Sequence, residues 1–375
     1  MVTTIICLIS VWLLTSCGPR AIQTTLPPIT PMPTPTWTPI PPTPSPVSPS
    51  LTPTLTPAEI VQRLEPSIVM ILSTMGLQGG EKAEWSGTGV IFDPDGFVIT
   101  AAHVVDGATV IKIRVPGRGE YFSAKIVGID PCADLAVLKI VEGSPFEAAP
   151  IGQSESLRLA GQVMIMGYPY PTSPDAGISV AMGILSQRGA EVELPLQGLT
   201  YSGLLKTDAL VTSGNSGGPL IALEGQERGK VVGIVQLGEM GQGFGYAIPM
   251  ESIISLVEEL KRGGDQGKKH WLGASLIPMS RLLNLLKLDP DLQPYIERIK
   301  RMFGDQGVLI LSVTPGASPA ANAGLQAGDV ILTMQNISVN SLDEVCEVLK
   351  TNPLPESTIE VEIRREGRII RVKVK

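Results

Sequence analysis

The run Gly214-Asn215-Ser216-Gly217-Gly218-Pro219 places one hydroxyl in a glycine-rich turn. A hydroxyl attacks an amide carbonyl only when a base takes its proton and fixed donors stabilise the resulting oxyanion. Glycines on both sides of Ser216 permit a sharp turn, so that the amides of Gly214 and Ser216 can converge on one oxygen, with Asn215 between them in the same candidate hole. Candidate bases are few, because the chain holds two histidines, His103 and His270. An imidazole base needs a carboxylate to orient it, and Asp106, Asp130 and Asp134 follow His103 in sequence. With two histidines there is no basis for a histidine-built metal site, and neither metal nor cofactor is expected.

The longer string from Thr207-Asp208-Ala209 to Ser216-Gly217-Gly218-Pro219-Leu220 resembles the chymotrypsin-fold peptidases, and most closely the high-temperature-requirement A (HtrA/Deg) family. Thr100-Ala101-Ala102-His103-Val104-Val105, preceded by Ser86-Gly87-Thr88-Gly89-Val90, is similar to that family's histidine segment. Asp130-Pro131-Cys132-Ala133-Asp134-Leu135 resembles its acid segment. The resemblance implies a triad of His103, Asp134 and Ser216, in the chain order of the chymotrypsin fold rather than that of subtilisins or α/β-hydrolases. Asp134 also opens an apolar strand that would draw it inward, whereas Asp106 and Asp130 read as turn residues.

Two details follow from this resemblance. Where zymogens of the fold carry an aspartate before the serine, this chain has Asn215, which cannot pair with a freshly cut amino terminus. Activity is therefore expected to depend on ordering the loops around 168–182 and 210–214. Leu210, six residues before Ser216, stands where an enzyme specific for basic residues would carry an acid. A preference for small or medium apolar side chains is expected, with Leu210, Gln236, Leu237 and Ala247 lining the substrate pocket.

Farther along, Trp271-Leu272-Gly273-Ala274, Gly307 to Val313, Gly316-Ala317-Ser318-Pro319 and Ala323-Gly324-Leu325 together resemble a circularly permuted PDZ domain of the bacterial kind. That implies capture of an extended peptide C-terminus by strand addition, its carboxylate held at Leu272, Gly273 and Ala274. Gln335-Asn336 occupies a turn where the family often has Asn-Gly, and asparagine tolerates the left-handed conformation. In the insertion 288–306, Ile296, Ile299 and Phe303 recur at helical spacing and read as a helix packed on its own domain.

The elements that must position these groups are short strands broken by glycine and proline turns between residues 67 and 249. Asp93-Pro94-Asp95-Gly96 is a hairpin signal. A short helix is expected from Ala58 to Leu64, behind a Thr56-Pro57 start, and another from Pro249 to Arg262, stopped by Gly263-Gly264. The fold class expected is an all-β, chymotrypsin-like double six-stranded β-barrel followed by a small α+β PDZ domain. The expected boundaries are 58–262 for the protease, 263–270 for a polar hinge and 271–375 for the PDZ domain.

The N-terminus reads differently. Residues 1–16 form a lipoprotein-type signal, with an apolar run from Ile5 to Leu14 too short to span a bilayer. Leu14-Thr15-Ser16-Cys17 resembles a lipobox, which makes Cys17 the lipidation site, although no basic residue precedes the run. Residues 17–57 form the tether. From Thr24 to Pro57, 13 of 34 residues are proline and 10 threonine, a composition that favours an extended, solvated chain reaching on the order of 100 Å. Cys7 lies in the signal, and Cys132 and Cys346, in separate domains, are read as unpaired apolar residues.

A formal net charge of −7 offers no basic face to displace counterions, which argues against nucleic acid. The reading is an endopeptidase tethered by lipid to a bacterial membrane, outside the cytoplasm. It would cut unfolded or mislocalised envelope proteins, bind C-termini at its PDZ domain and, by the family's habit, form a homotrimer. Two alternatives stand beside it, a non-catalytic PDZ scaffold or chaperone and a narrow-specificity processing protease.

Overall fold

The computed structural model describes residues 55–76, 82–119, 121–169, 177–193, 199–239, 243–264, 266–287, 293–314, 316 and 318–375. The signal segment, Cys17 and almost all of the tether lie outside the described residues, as does the centre of the loop between 168 and 182. Among the described residues no helix is long and apolar enough to cross a membrane.

Helix α1 (Pro57–Leu64) begins in a capping box, with Thr56 and Glu59 each satisfying the other's backbone amide. It buries Ile60 and Leu64. Six antiparallel strands follow: β1 (Ile68–Gly76), β2 (Lys82–Asp93), β3 (Phe97–Thr100), β4 (Val110–Arg114), β5 (Tyr121–Asp130) and β6 (Leu135–Ile140). They close in the order β1-β2-β3-β6-β5-β4. The expected hairpin joins β2 to β3, where Gly96 at φ +89° donates to Asp93 O.

A second closed barrel runs β10-β11-β12-β9-β8-β7. Its strands are β7 (Gln162–Gly167), β8 (Ser179–Glu193), β9 (Thr200–Thr207), β10 (Pro219–Ala222), β11 (Val231–Glu239) and β12 (Phe244–Pro249). Helix α2 (Met250–Arg262) then returns across the first barrel, burying Ile253, Val257 and Leu260. It ends at Gly263, whose φ of +69° suits glycine. Gly128 of β5 has no room for a side chain, because the α2 backbone at Leu260 lies against it.

The C-terminal unit is one six-stranded sheet, β13-β14-β15-β17-β18 with β16 on β15. Its strands are β13 (Ala274–Pro278), β14 (Val308–Val313), β15 (Val330–Met334), β16 (Ile337–Ser338), β17 (Ile359–Arg365) and β18 (Arg368–Val374). Between β13 and β14 the insertion forms α3 (Gln293–Phe303), whose Ile296, Ile299 and Phe303 pack with Leu309, Leu311 and Val330 of the same unit. The two short helices are α4 (Pro319–Asn322) and α5 (Leu342–Thr351), the latter opened by a Ser341–Glu344 capping box. Gln335 and Asn336 both take positive φ in the β15–β16 turn, as asparagine at that turn allows.

One expectation is overturned. Cys132 and Cys346 are not unpaired: they form a disulfide across 214 residues, with Cα atoms 5.7 Å apart. The sequence argument treated the two domains as separate, but α5 lies on the first barrel, where Cys346 and Leu342 pack with Cys132 and Ala133. Asp343 Oδ1 accepts from Thr200 N at the same contact. The expected hinge is tied down as well. Lys269 Nζ meets Glu259 at 3.0 Å, His270 Nδ1 bonds Asp130 Oδ2 at 2.7 Å, and Trp271 Nε1 donates to Asp106 Oδ1 at 3.0 Å.

Candidate active site

The three predicted catalytic residues meet at the seam between the barrels. His103 sits in the short turn after β3, whose Val98, Ile99 and Thr100 are all buried and lead Ala101 and Ala102 into the core. Its side chain is 40% exposed and faces the cleft. Asp134 ends the turn that joins β5 to β6 and is 3% exposed. Its φ of +50° is unusual for a residue with a side chain, and aspartate is one of the few that tolerate it.

That backbone aims the Asp134 carboxylate at His103 twice. Oδ1 accepts from the His103 amide at 2.9 Å, and Oδ2 accepts from the imidazole Nδ1 at 2.8 Å. Such a double contact fixes both ring orientation and tautomer, leaving Nε2 as the free base. Burial pushes the imidazole pKa down, but the charge and hydrogen bond of Asp134 outweigh it, and the net shift is upward.

Ser216 comes from the second barrel, in the turn before β10. Its hydroxyl donates to Gln236 O at 2.9 Å, and no Ser216–His103 hydrogen bond forms among the described residues. Gly214 stands at φ +95° and Gly217 at φ +81°, both positions that favour glycine. The Gly214 and Ser216 amides donate to no other group among the described residues, so both remain available to an oxyanion. Asn215 departs from the expectation. Its amide donates to Thr212 O at 3.0 Å, so it braces the turn and supplies no donor to the hole.

Gln236 is a second correction. Expected as a pocket wall, it is 1% exposed, and its Nε2 lies 3.4 Å from both Asp134 Oδ2 and Ala133 O. It lies on the same face of β11 as Ile234, which packs toward the first barrel, and a register irregularity between Val235 and Leu237 falls at this position. Leu210 is 58% exposed, Leu237 is half-buried and Ala247 lies in the core of the second barrel. Val211, next to Leu210, packs so closely on Gly245 that a side chain at Gly245 would collide with it.

Asp106 and Asp130, read as turn residues, do more than turn the chain. Asp130 Oδ1 accepts from the Cys132 and Ala133 amides, while its Oδ2 holds His270. In the C-terminal sheet, Leu272 O and Gly273 O are taken by Ala320 N and Thr314 N. Leu272, Gly273 and Ala274 are themselves buried, and Gly273 packs directly against Ser318. No cluster of three or more metal-ligating side chains occurs among the described residues.

Residues 87–234 match the family model of the trypsin-like peptidase domain, and residues 272–375 match that of the PDZ domain. Over 340 residues the chain is 32% identical to the serine protease Do-like HtrA of Bacillus subtilis, covering 85% of this chain and 72% of that protein. The chain belongs to the HtrA family of serine proteases. Among other HtrA relatives, the putative serine protease HhoB of Synechocystis is 31% identical over 326 residues, covering 80% of this chain and 74% of its own. The periplasmic serine endoprotease DegP of Escherichia coli is 30% identical over 302 residues, and there the match spans 80% of this chain but 59% of the relative. A solved serine endoprotease from Yersinia pestis aligns at 26% identity over 87% of this chain and 98% of that one, with a TM-score of 0.47. This HtrA chain is thus a serine endopeptidase with a chymotrypsin-like protease domain and one PDZ domain.

Proposed function

We propose that Ser216, His103 and Asp134 are the catalytic triad of this endopeptidase. The observation that carries this reading is the paired contact of Asp134 with the amide and the imidazole of His103, across the seam from a serine flanked by two uncommitted amides. Binding of a peptide would swing the Ser216 hydroxyl from Gln236 O to His103 Nε2. The imidazole takes the proton as Oγ attacks the scissile carbonyl, and the Gly214 and Ser216 amides receive the oxyanion. His103 then gives the proton to the leaving amine. Water repeats the sequence on the acyl-enzyme and restores the hydroxyl.

The wider reading builds on the sequence. Residues 1–16 are a lipoprotein signal, Cys17 carries lipid, and 17–57 tether a protease domain (58–262), a linker (263–270) and a PDZ domain (271–375) outside the cytoplasm. Substrates are unfolded envelope polypeptides with small or medium apolar side chains before the cut. The packing of Val211 on Gly245 supports such a restricted pocket. Leu272, Gly273 and Ala274 receive a C-terminal carboxylate, and protomers associate as trimers.

The decisive experiment is casein hydrolysis by wild type and Ser216→Ala. Loss of all cleavage in a variant with an unchanged circular dichroism spectrum is expected. Cleavage that persists in Ser216→Ala would show that Ser216 is not the nucleophile, whereas a wild type that cuts nothing would return the chain to a scaffold role.

A further inference from the structure

We propose that Thr88 is the positioning residue of the oxyanion loop, acting from the opposite barrel through hydrogen bonds. The inference rests on the triad reading above. Thr88 lies in β2 of the first barrel and is fully buried. Its Oγ1 donates to Gly214 O at 2.7 Å, and its own amide donates to Ser216 O at 2.9 Å. One residue therefore holds the carbonyls on both sides of the nucleophile's turn.

The effect on the hole follows from the planarity of peptide units. The unit between Gly214 and Asn215 is fixed at both ends, its carbonyl by Thr88 Oγ1 and its N–H by Thr212 O. The unit between Ser216 and Gly217 is fixed likewise, its carbonyl by Thr88 N and its N–H by Val235 O. Between them, Asn215 O accepts from Gly218 N at 3.0 Å. Three successive planes are thereby set: the uncommitted Ser216 amide lies in the middle one, and the uncommitted Gly214 amide in the unit that leads directly into the first. Among these restraints the Thr88 hydroxyl is the one supplied by a side chain.

Its rotor is also determined. Thr88 Oγ1 accepts from the Tyr168 amide at 3.0 Å, which leaves its hydrogen to point at Gly214 O. Tyr168 follows β7 and opens the loop that leads to 177. The hydroxyl therefore joins the ordering of that loop to the geometry of the hole. There is no slack around it. Thr100 Oγ1 donates to Thr88 O at 2.7 Å, and a side chain at Gly217 would strike both threonines.

Thr88 touches no reacting atom, so its contribution should appear in kcat and in affinity for tetrahedral adducts. Thr88→Val keeps the branched shape and removes the hydroxyl, whereas Thr88→Ser keeps the hydroxyl. Peptide hydrolysis and inhibition by a peptide aldehyde, whose hemiacetal oxygen occupies the hole, are measured on full-length protein matched for folded fraction. Thr88→Val should lower kcat roughly 10- to 100-fold with KM within about threefold, and weaken the aldehyde by a similar factor. Thr88→Ser should stay within about threefold of wild type in both.

If Thr88→Val does not fold, Thr88→Cys, with its weak donor, carries the same comparison. Either variant retaining wild-type kcat, or losing kcat while aldehyde affinity is unchanged, overturns the proposal. Ser216→Ala is run beside them. An inert Ser216→Ala with an active Thr88→Val sinks the role of Thr88 alone, whereas an active Ser216→Ala sinks the triad reading and this proposal with it.

Discussion

Cys132 stands two residues before Asp134 in the turn that delivers the catalytic acid, and its sulfur is bonded to Cys346 on the α5 helix of the PDZ domain. The C-terminal domain is thus covalently fastened to the acid's own turn. Asp106 and Trp271 make a parallel contact beside His103. The turn that holds Asp134 and the loop that follows His103 both lean on the second domain.

Opening the disulfide should loosen this arrangement. A cross-link spanning 214 residues restricts the unfolded chain by up to about 5 kcal/mol in the chain-entropy account. Cys346→Ser is expected to lower the melting temperature by roughly 5 °C or more and to expose the segment 263–270 to nicking by trypsin. Adding Cys132→Ser should bring little further loss. An unchanged melting curve in dithiothreitol, with both thiols shown free by mass spectrometry, would contradict this.

Asp134→Asn tests the paired contact with His103. The amide side chain can still occupy the site, but it no longer favours the tautomer that presents Nε2 as a base. A fall in kcat on the order of 10⁴ is expected, with melting little changed. In the wild type, kcat/KM should rise with pH as His103 loses its proton, with a midpoint above the ordinary imidazole value because Asp134 raises it. A midpoint at or below 6.5 would count against Asp134 as the orienting acid.

The domain contact should strengthen in mild acid. Burial holds the Asp106 carboxyl up at about 6, against the hydrogen bonds from Trp271 and the Gly107 amide. A folded pKa above the ordinary 3.8 means that the folded state keeps its proton longer. The stabilisation is complete below about pH 4 and lost as pH rises through about 6. His270 is raised by its hydrogen bond to Asp130, so its share is present below 6.5 and is lost above that. The difference in melting temperature between wild type and Asp106→Asn/His270→Gln should therefore be greatest near pH 4 and shrink toward pH 8. A difference that is flat with pH, or grows, would show that these groups do not govern the contact.

The residues proposed as the triad stand out in sequence because each sits in a short local string whose residue types serve one chemistry. Ser216 needs glycines beside it, His103 follows a buried strand, and Asp134 opens another. The start of α1 and the stop at Gly263 were legible for the same reason. The Cys132–Cys346 bond was not, since it depends on how two domains pack across 214 residues. Gln236 misled because its face of β11, shared with Ile234, packs against the first barrel at Ala133 and Asp134, a contact that local sequence does not reveal. Thr88 looked like part of a glycine-rich strand, and its role exists only once the second barrel lies against the first.

That last relationship reaches back to the biogenesis of the enzyme. The base, its acid and Thr88 belong to one barrel, while the nucleophile and both oxyanion amides belong to the other. A chain with a single barrel formed has no means of hydrolysing a peptide, its neighbours' or its own. On the triad proposed above, the protease would stay harmless until both of its barrels have closed.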